Sequence, residues 1–99
     1  MQICIKSHQA HVIFHSMAEG MAEVRDERGD TATVTLLDRL VKQTAEQIEP
    51  ADIYPKVIEL EADLLTTVQA VLENCAELTM AATADDPDVL HDGDVVLTA

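Results

Sequence analysis

The sequence predicts a mainly α-helical fold, a three-helix antiparallel bundle with a long third helix and short β pieces at the termini. Three observations carry this. Apolar residues recur at helical spacing in three separate segments. Aromatic anchors are nearly missing: one Phe, one Tyr and no Trp stand among 99 residues. The core therefore falls to Leu, Val, Ile, Ala and Met, which suits closely packed helices better than a β-sandwich. Three Gly and three Pro are also too few turn residues for a many-stranded fold. The length fits one domain spanning residues 1–99.

The first helix is expected over about 8–28. Ser7 can cap it, and Ala10, Ile13, Phe14, Met17, Met21 and Val24 follow i, i+3, i+4 spacing. Arg25 and Arg28 suit the negative end of the helix dipole, and Gly29 offers the stop. Asp30 then caps a second helix over 31–49. Val34, Leu37, Val41, Thr44 and Ile48 form its seam, with Leu40 beside it. The short Gly29-Asp30 junction folds the second helix back on the first. Residues 31–36 are rich in β-branched side chains and also fit a strand.

Pro50 and Pro55 bracket a turn, and the third helix is expected over 55–82. Val57, Ile58, Leu60, Leu64, Leu65, Val68, Val71, Leu72, Cys75 and Leu78 line its apolar stripe, opposite Glu59, Asp63, Glu73 and Glu77. Such a helix would be about 42 Å long at 1.5 Å per residue, longer than its two neighbours. Part of its stripe would then lack a cover. Glu61 falls inside the stripe, so it is either wet or held by a partner such as Arg39, Lys42 or Lys56. The Asp-rich tail, 83–99, holds the β-rich pieces Val89-Leu90 and Val95-Val96-Leu97 and a hairpin-turn signal at Asp92-Gly93. It fits a hairpin, a partner for the Ile3-Cys4-Ile5 strand, or an acidic disordered end.

Nineteen acidic residues against six basic ones give a net charge of −13. That balance repels nucleic acid and anionic membranes and favours basic partners or cations. It also fits a halophilic surface or mimicry of DNA toward a DNA-binding protein. No segment has signal-peptide architecture, and no apolar run reaches the roughly 20 residues that span a bilayer. Cys4 and Cys75 belong to no CxxC pair, which suggests a reducing compartment and places the chain in the cytoplasm.

The chemistry-bearing residues gather on the first helix. His8, His11, His15 and Glu19 lie along one edge, opposite the apolar stripe. Imidazoles one turn apart can converge on a divalent metal, and they charge below about pH 6.5. The plain alternative is a polar face that uses His for hydrogen bonds. The run Glu59-Leu60-Glu61-Ala62-Asp63 resembles the second carboxylate motif of helical nucleotide pyrophosphohydrolases, which hold magnesium with ExxE and ExxD pairs on two helices. Here Glu59 to Asp63 has one residue too many and Glu61 to Asp63 one too few, and Glu19, Glu23 and Glu27 recur every four residues. No glycine-rich phosphate loop, GxSxG or EF-hand loop is found.

The sequence thus points to a non-catalytic protein–protein interaction module: an adaptor, chaperone-like subunit or inhibitor. Its expected working surface is the uncovered stripe of Val57, Leu60, Glu61, Leu64, Val68, Val71, Cys75 and Leu78 together with the acidic faces. The expected partners are a basic or nucleic-acid-binding protein and, through the same stripe, a second copy in a homodimer. No direct contact with nucleic acid or membrane, and no cofactor, is expected. The alternatives are a metal-binding or pH-responsive module built on His8, His11, His15 and Glu19, and a small carboxylate-metal hydrolase.

Overall fold

The computed structural model describes residues 1–75, 80–81 and 95–98. The expectations for Leu78, for Asp92-Gly93 and for most of the tail lie outside them. In chain order the elements are β1 (Gln2–Ile5), α1 (His8–Glu27), α2 (Thr31–Gln47), β2 (Lys56–Glu59), a 3₁₀ turn (Ala62–Leu64), α3 (Leu65–Glu73), β3 (Met80–Ala81) and β4 (Val95–Thr98). The fold is mainly helical, with three helices. The strands make one sheet in the order β2-β1-β4-β3. β1 runs antiparallel to both neighbours, and β3 runs parallel to β4.

Side chains alternate across a strand, so register decides what meets the helices. Ile3 lies opposite Ile58, and Ile5 opposite Val95. These four share one face and are buried with Phe14, Leu37, Leu40, Leu64, Val68 and Val71 in a single core. The helices therefore cover one face of the sheet. Cys4 and Val57 are neighbours on the other face, where Val57 stays 53% exposed. Burying a Leu or Ile side chain contributes about 1.5–3 kcal/mol, so this shared core is the main stabilising term.

The first two helices form as their caps predict. Ser7 Oγ accepts from the Ala10 N–H at 3.1 Å, and Asp30 Oδ1 accepts from the Thr33 N–H at 3.3 Å. Gly29 takes φ +75°, the left-handed conformation that ends α1. Residues 31–36 are helical, because this cap and the buried Leu37, Leu40 and Thr44 outweigh their β-branched composition. Thr44 satisfies its buried hydroxyl by donating to the Leu40 carbonyl at 2.8 Å.

The third helix differs from expectation. It begins at Leu65, and residues 56–59 are a strand. Lys56-Val57-Ile58-Glu59 fits a 3.6-residue period, but it also alternates and carries two β-branched residues. The pairing demand of β1 decides between these. A helix would leave one side of β1 without hydrogen-bond partners, against a buried core where unpaired backbone groups are costly. α3 ends at Glu73, and the Asn74 amide donates back to the Ala70 carbonyl at 2.8 Å. The long bundle helix over 55–82 is thus replaced by a strand, a 3₁₀ turn and a short helix.

β2 stands at the sheet edge. Met1 and Leu60 exchange both backbone hydrogen bonds, the Met1 amine to the Leu60 carbonyl at 2.9 Å and the Leu60 N–H to the Met1 carbonyl at 2.8 Å. By the alternation of antiparallel pairs, the N–H and C=O of Glu59 then point away from β1. The Gln47 side chain meets both. The Glu59 N–H donates to Gln47 Oε1 at 2.7 Å, and Gln47 Nε2 donates to the Glu59 carbonyl at 2.5 Å. One amide side chain on α2 thus stands in for a neighbouring strand.

Two stability measurements follow. Leu64 is fully buried, so Leu64→Ala should cost about 2–5 kcal/mol in urea melts, whereas exposed Glu73→Ala should shift stability by no more than about 0.5 kcal/mol. Gln47→Ala should cost about 0.5–1.5 kcal/mol and accelerate hydrogen exchange at the Glu59 amide; unchanged exchange there would deny the side chain its role as edge cover.

Candidate functional site

The stripe expected to dock a partner is the protein's own core. Leu60, Leu64, Val68, Val71 and Cys75 are all under 5% exposed. Among the described residues of the stripe, Val57, on the sheet face away from the helices, and Glu61 remain at the surface. The stripe was sound as an apolar pattern, but its cover comes from β1, α1 and α2 rather than from a second chain. Over residues 60–75 the stripe is thus covered within the molecule, apart from exposed side chains such as Glu61. What surface α3 keeps opens into a groove of about 360 Å³ lined by Met21, Leu36, Leu37, Thr66, Thr67 and Ala70, with Asp63 at its rim.

The histidines form a row. The His8 and His11 ring centroids lie 6.3 Å apart, and those of His11 and His15 5.7 Å apart. Tyr54 meets the far side of His8 edge-on at 6.0 Å. At the other end, His15 Nε2 contacts the Glu19 carboxylate one turn along α1. Three buried side-chain polar atoms among the described residues lack a hydrogen-bond partner: His11 Nδ1, His15 Nδ1 and Tyr54 Oη. All three belong to this row. Burial, then the charges of His15 and His8, push the His11 imidazole below its ordinary value of 6.5. Burial, then Asp52, pushes the Tyr54 phenol up, with Lys56 acting against them. Sequence spacing placed His8, His11, His15 and Glu19 together; nothing in it could attach Tyr54, which arrives from the segment before β2. The four expected ligands make a row rather than a ring. Among the described residues no three His, Cys, Asp or Glu side chains come together as a metal-ion site.

The carboxylates of the resembling motif are held differently. Glu59 is on β2 and accepts from the Gln2 amide at 2.6 Å. Asp63 takes a two-pronged contact from Arg39, at 2.9 and 3.1 Å, which holds its carboxyl below the usual range. Glu61 pairs with the same guanidinium. Arg39 is thus one of the partners expected for Glu61, and it draws both acids to α2. Arg25 lies 3.9 Å from Asp30, and Lys56 3.2 Å from Asp52. Other acids among the described residues, Glu23, Asp26 and Asp38, stand exposed. Between α1 and α2 a shallow groove of about 260 Å³ is floored by Ala22 and Val34 and rimmed by Glu23, Asp26 and Asp38. No helix among the described residues is long and apolar enough to cross a membrane.

No protein family, curated protein or solved structure matches the chain.

The His11 environment gives a signed pH dependence. A lowered folded-state value means that folding favours neutral His11. Its contribution is full above the unfolded value of 6.5 and is lost as pH falls through the folded value. Urea melts should therefore show wild type losing stability between about pH 7 and pH 5, and His11→Gln losing less over the same window. Parallel pH profiles would mean that His11 is not the responsive group.

Proposed function

We propose that this protein is a non-catalytic interaction module that binds a basic protein partner on the acidic groove between α1 and α2. The observation that carries the reading is the composition of that groove. Glu23, Asp26 and Asp38 are exposed around an apolar floor of Ala22 and Val34. None of the three has a basic side chain within ion-pair distance among the described residues, whereas Arg25, Arg39 and Lys56 are each committed to other acids. An apolar strip flanked by carboxylates matches an amphipathic segment that carries Lys or Arg beside its apolar face. The net charge of −13 adds long-range attraction for such a partner. Of the two surfaces that the sequence suggested, this reading keeps the acidic faces and leaves the apolar stripe to the core.

The reading is tested by capture from the native host with wild type and with the triple variant Glu23→Lys, Asp26→Lys, Asp38→Lys. Wild type should recover a basic protein whose retention falls steeply as salt rises above about 0.15 M, where screening shortens to about 8 Å. The triple variant should lose it while keeping its circular dichroism spectrum. Equal recovery by both proteins would sink the assignment of this groove.

A further inference from the structure

We propose that the cavity between the ends of α1 and α3 binds a small phosphate monoester, held by the guanidinium groups of Arg25 and Arg28 and the side-chain amide of Asn74. The cavity, of about 270 Å³, is lined by these three residues with Gly20, Met21 and Val24. Arg25 lies in the last turn of α1, Arg28 caps that helix, and Asn74 caps α3. Three observations meet here. First, no acidic side chain among the described residues lines the cavity, although the chain carries 19 acids and the two grooves described above are both rimmed by carboxylates. Second, its cations are largely open. The Arg28 guanidinium makes no ion pair or hydrogen bond among the described residues, and Arg25 reaches a single Asp30 oxygen at 3.9 Å. A guanidinium carries five N–H donors, so one distant oxygen leaves most of them for a ligand. Third, the floor is clear. A Cβ added at Gly20 would meet nothing within 4 Å, so the space reaches the backbone of α1 beside Met21 and Val24.

The ligand class follows from these groups. Two guanidinium forks offer donors in pairs, and a phosphate monoester answers with three acceptor oxygens and a charge of about −1.5 to −2 at neutral pH. Asn74 Nδ2 donates one proton to the Ala70 carbonyl at 2.8 Å, and the amide keeps a second N–H for the ligand. Met21 and Val24 supply an apolar wall, which suits a short apolar ester group. Size agrees: ligand pockets usually hold roughly 300–1,000 Å³, so this one admits a phosphate with a small substituent. Both helices end here, and bare terminal carbonyls would repel an anion. These carbonyls are occupied. Val24, Arg25 and Asp26 accept from the N–H groups of Arg28, Gly29 and Asp30, and Ala70, Val71 and Leu72 accept from Asn74 and Cys75. The net charge of −13 opposes anions at long range, but salt screens that field, and contact with two guanidiniums acts at short range. This cavity lies apart from the α1–α2 groove and does not depend on the function proposed there.

Titration of the full chain with phenyl phosphate, followed by calorimetry and by proton–nitrogen spectra of the arginine and asparagine side chains, tests this. The expected result is one saturable site that moves the Arg28 Nε and Asn74 Nδ2 resonances. Inorganic phosphate should bind roughly tenfold more weakly, because it leaves the apolar wall uncovered. Arg28→Gln should weaken phenyl phosphate about 10- to 100-fold, the usual effect of losing hydrogen bonds to a charged group. Gly20→Leu should abolish binding by filling the cavity while all three polar groups remain, and its circular dichroism should match wild type, since nothing crowds that position. Lys42→Gln removes a cation from α2 outside the cavity and should leave affinity unchanged. No saturable shift at about 1 mM ligand would overturn the proposal. So would full affinity in folded Gly20→Leu, which places the anion on surface charge alone, equal losses from Lys42→Gln and Arg28→Gln, or inorganic phosphate binding as tightly as the ester.

Discussion

Four residues near the start of the chain have to sit in the middle of a sheet. Gln2–Ile5 pairs on one side with Lys56–Glu59 and on the other with Val95–Thr98, so both neighbours are recruited from far along the sequence. Each inward residue of β1 then touches a residue of a neighbouring strand and a helix at once. Ile3 and Ile5 are fully buried, and they join the core contributions of all three helices. Non-local pairing of this kind is entropically costly to close, and burial on one face is what offsets the cost. Sheet and helices therefore stabilise each other through one shared core.

The same pairing places the histidine row. Ile5 is registered opposite Lys56. α1 starts three residues after Ile5, at His8, and Tyr54 lies two residues before Lys56. The two aromatic rings are thus brought to the same corner by backbone hydrogen bonds, and Tyr54 covers the first turn of α1. An edge of α1 that would be plainly solvated on an isolated helix is half enclosed in consequence. Enclosure explains the depressed proton affinity of His11 and its orphaned nitrogen. The acidic side chains Glu23, Asp26 and Asp38, by contrast, stand exposed on the outer faces of α1 and α2.

How much of this was legible follows from which forces were local. α1 and α2 could be read almost to the residue, because Ser7, Gly29 and Asp30 act on their immediate neighbours and the apolar period spans several turns. The contact between the Ile3-Cys4-Ile5 strand and Val95-Val96-Leu97 was one of the options that the β-rich composition allowed, and the structure pairs them. The segment after Pro55 was misread because Val57, Ile58 and Leu60 satisfy two periodicities over so short a run, and the deciding demand came from β1, more than fifty residues away. Leu64, Val68 and Val71 were correctly seen as one apolar stripe, yet periodicity cannot say whether such a stripe meets the same chain or another. The histidine alignment was visible as helix geometry; its burial against Tyr54 was not, since it depends on strand register. Glu61 does not lie inside a helical stripe: it precedes the 3₁₀ turn, exposed, and pairs there with Arg39, one of the partners that its charge suggested.

The pairing of Gln2 with Thr98 has a topological meaning. These two positions are close neighbours across one sheet, so the path of the backbone through the described elements is nearly a closed loop. The exposed Gly29 turn, meanwhile, lies between two helices that contact each other along their length. Distance along the chain is thus a poor guide to distance in the fold: residues 2 and 98 share one strand pair, so a disturbance at either is felt directly at the other.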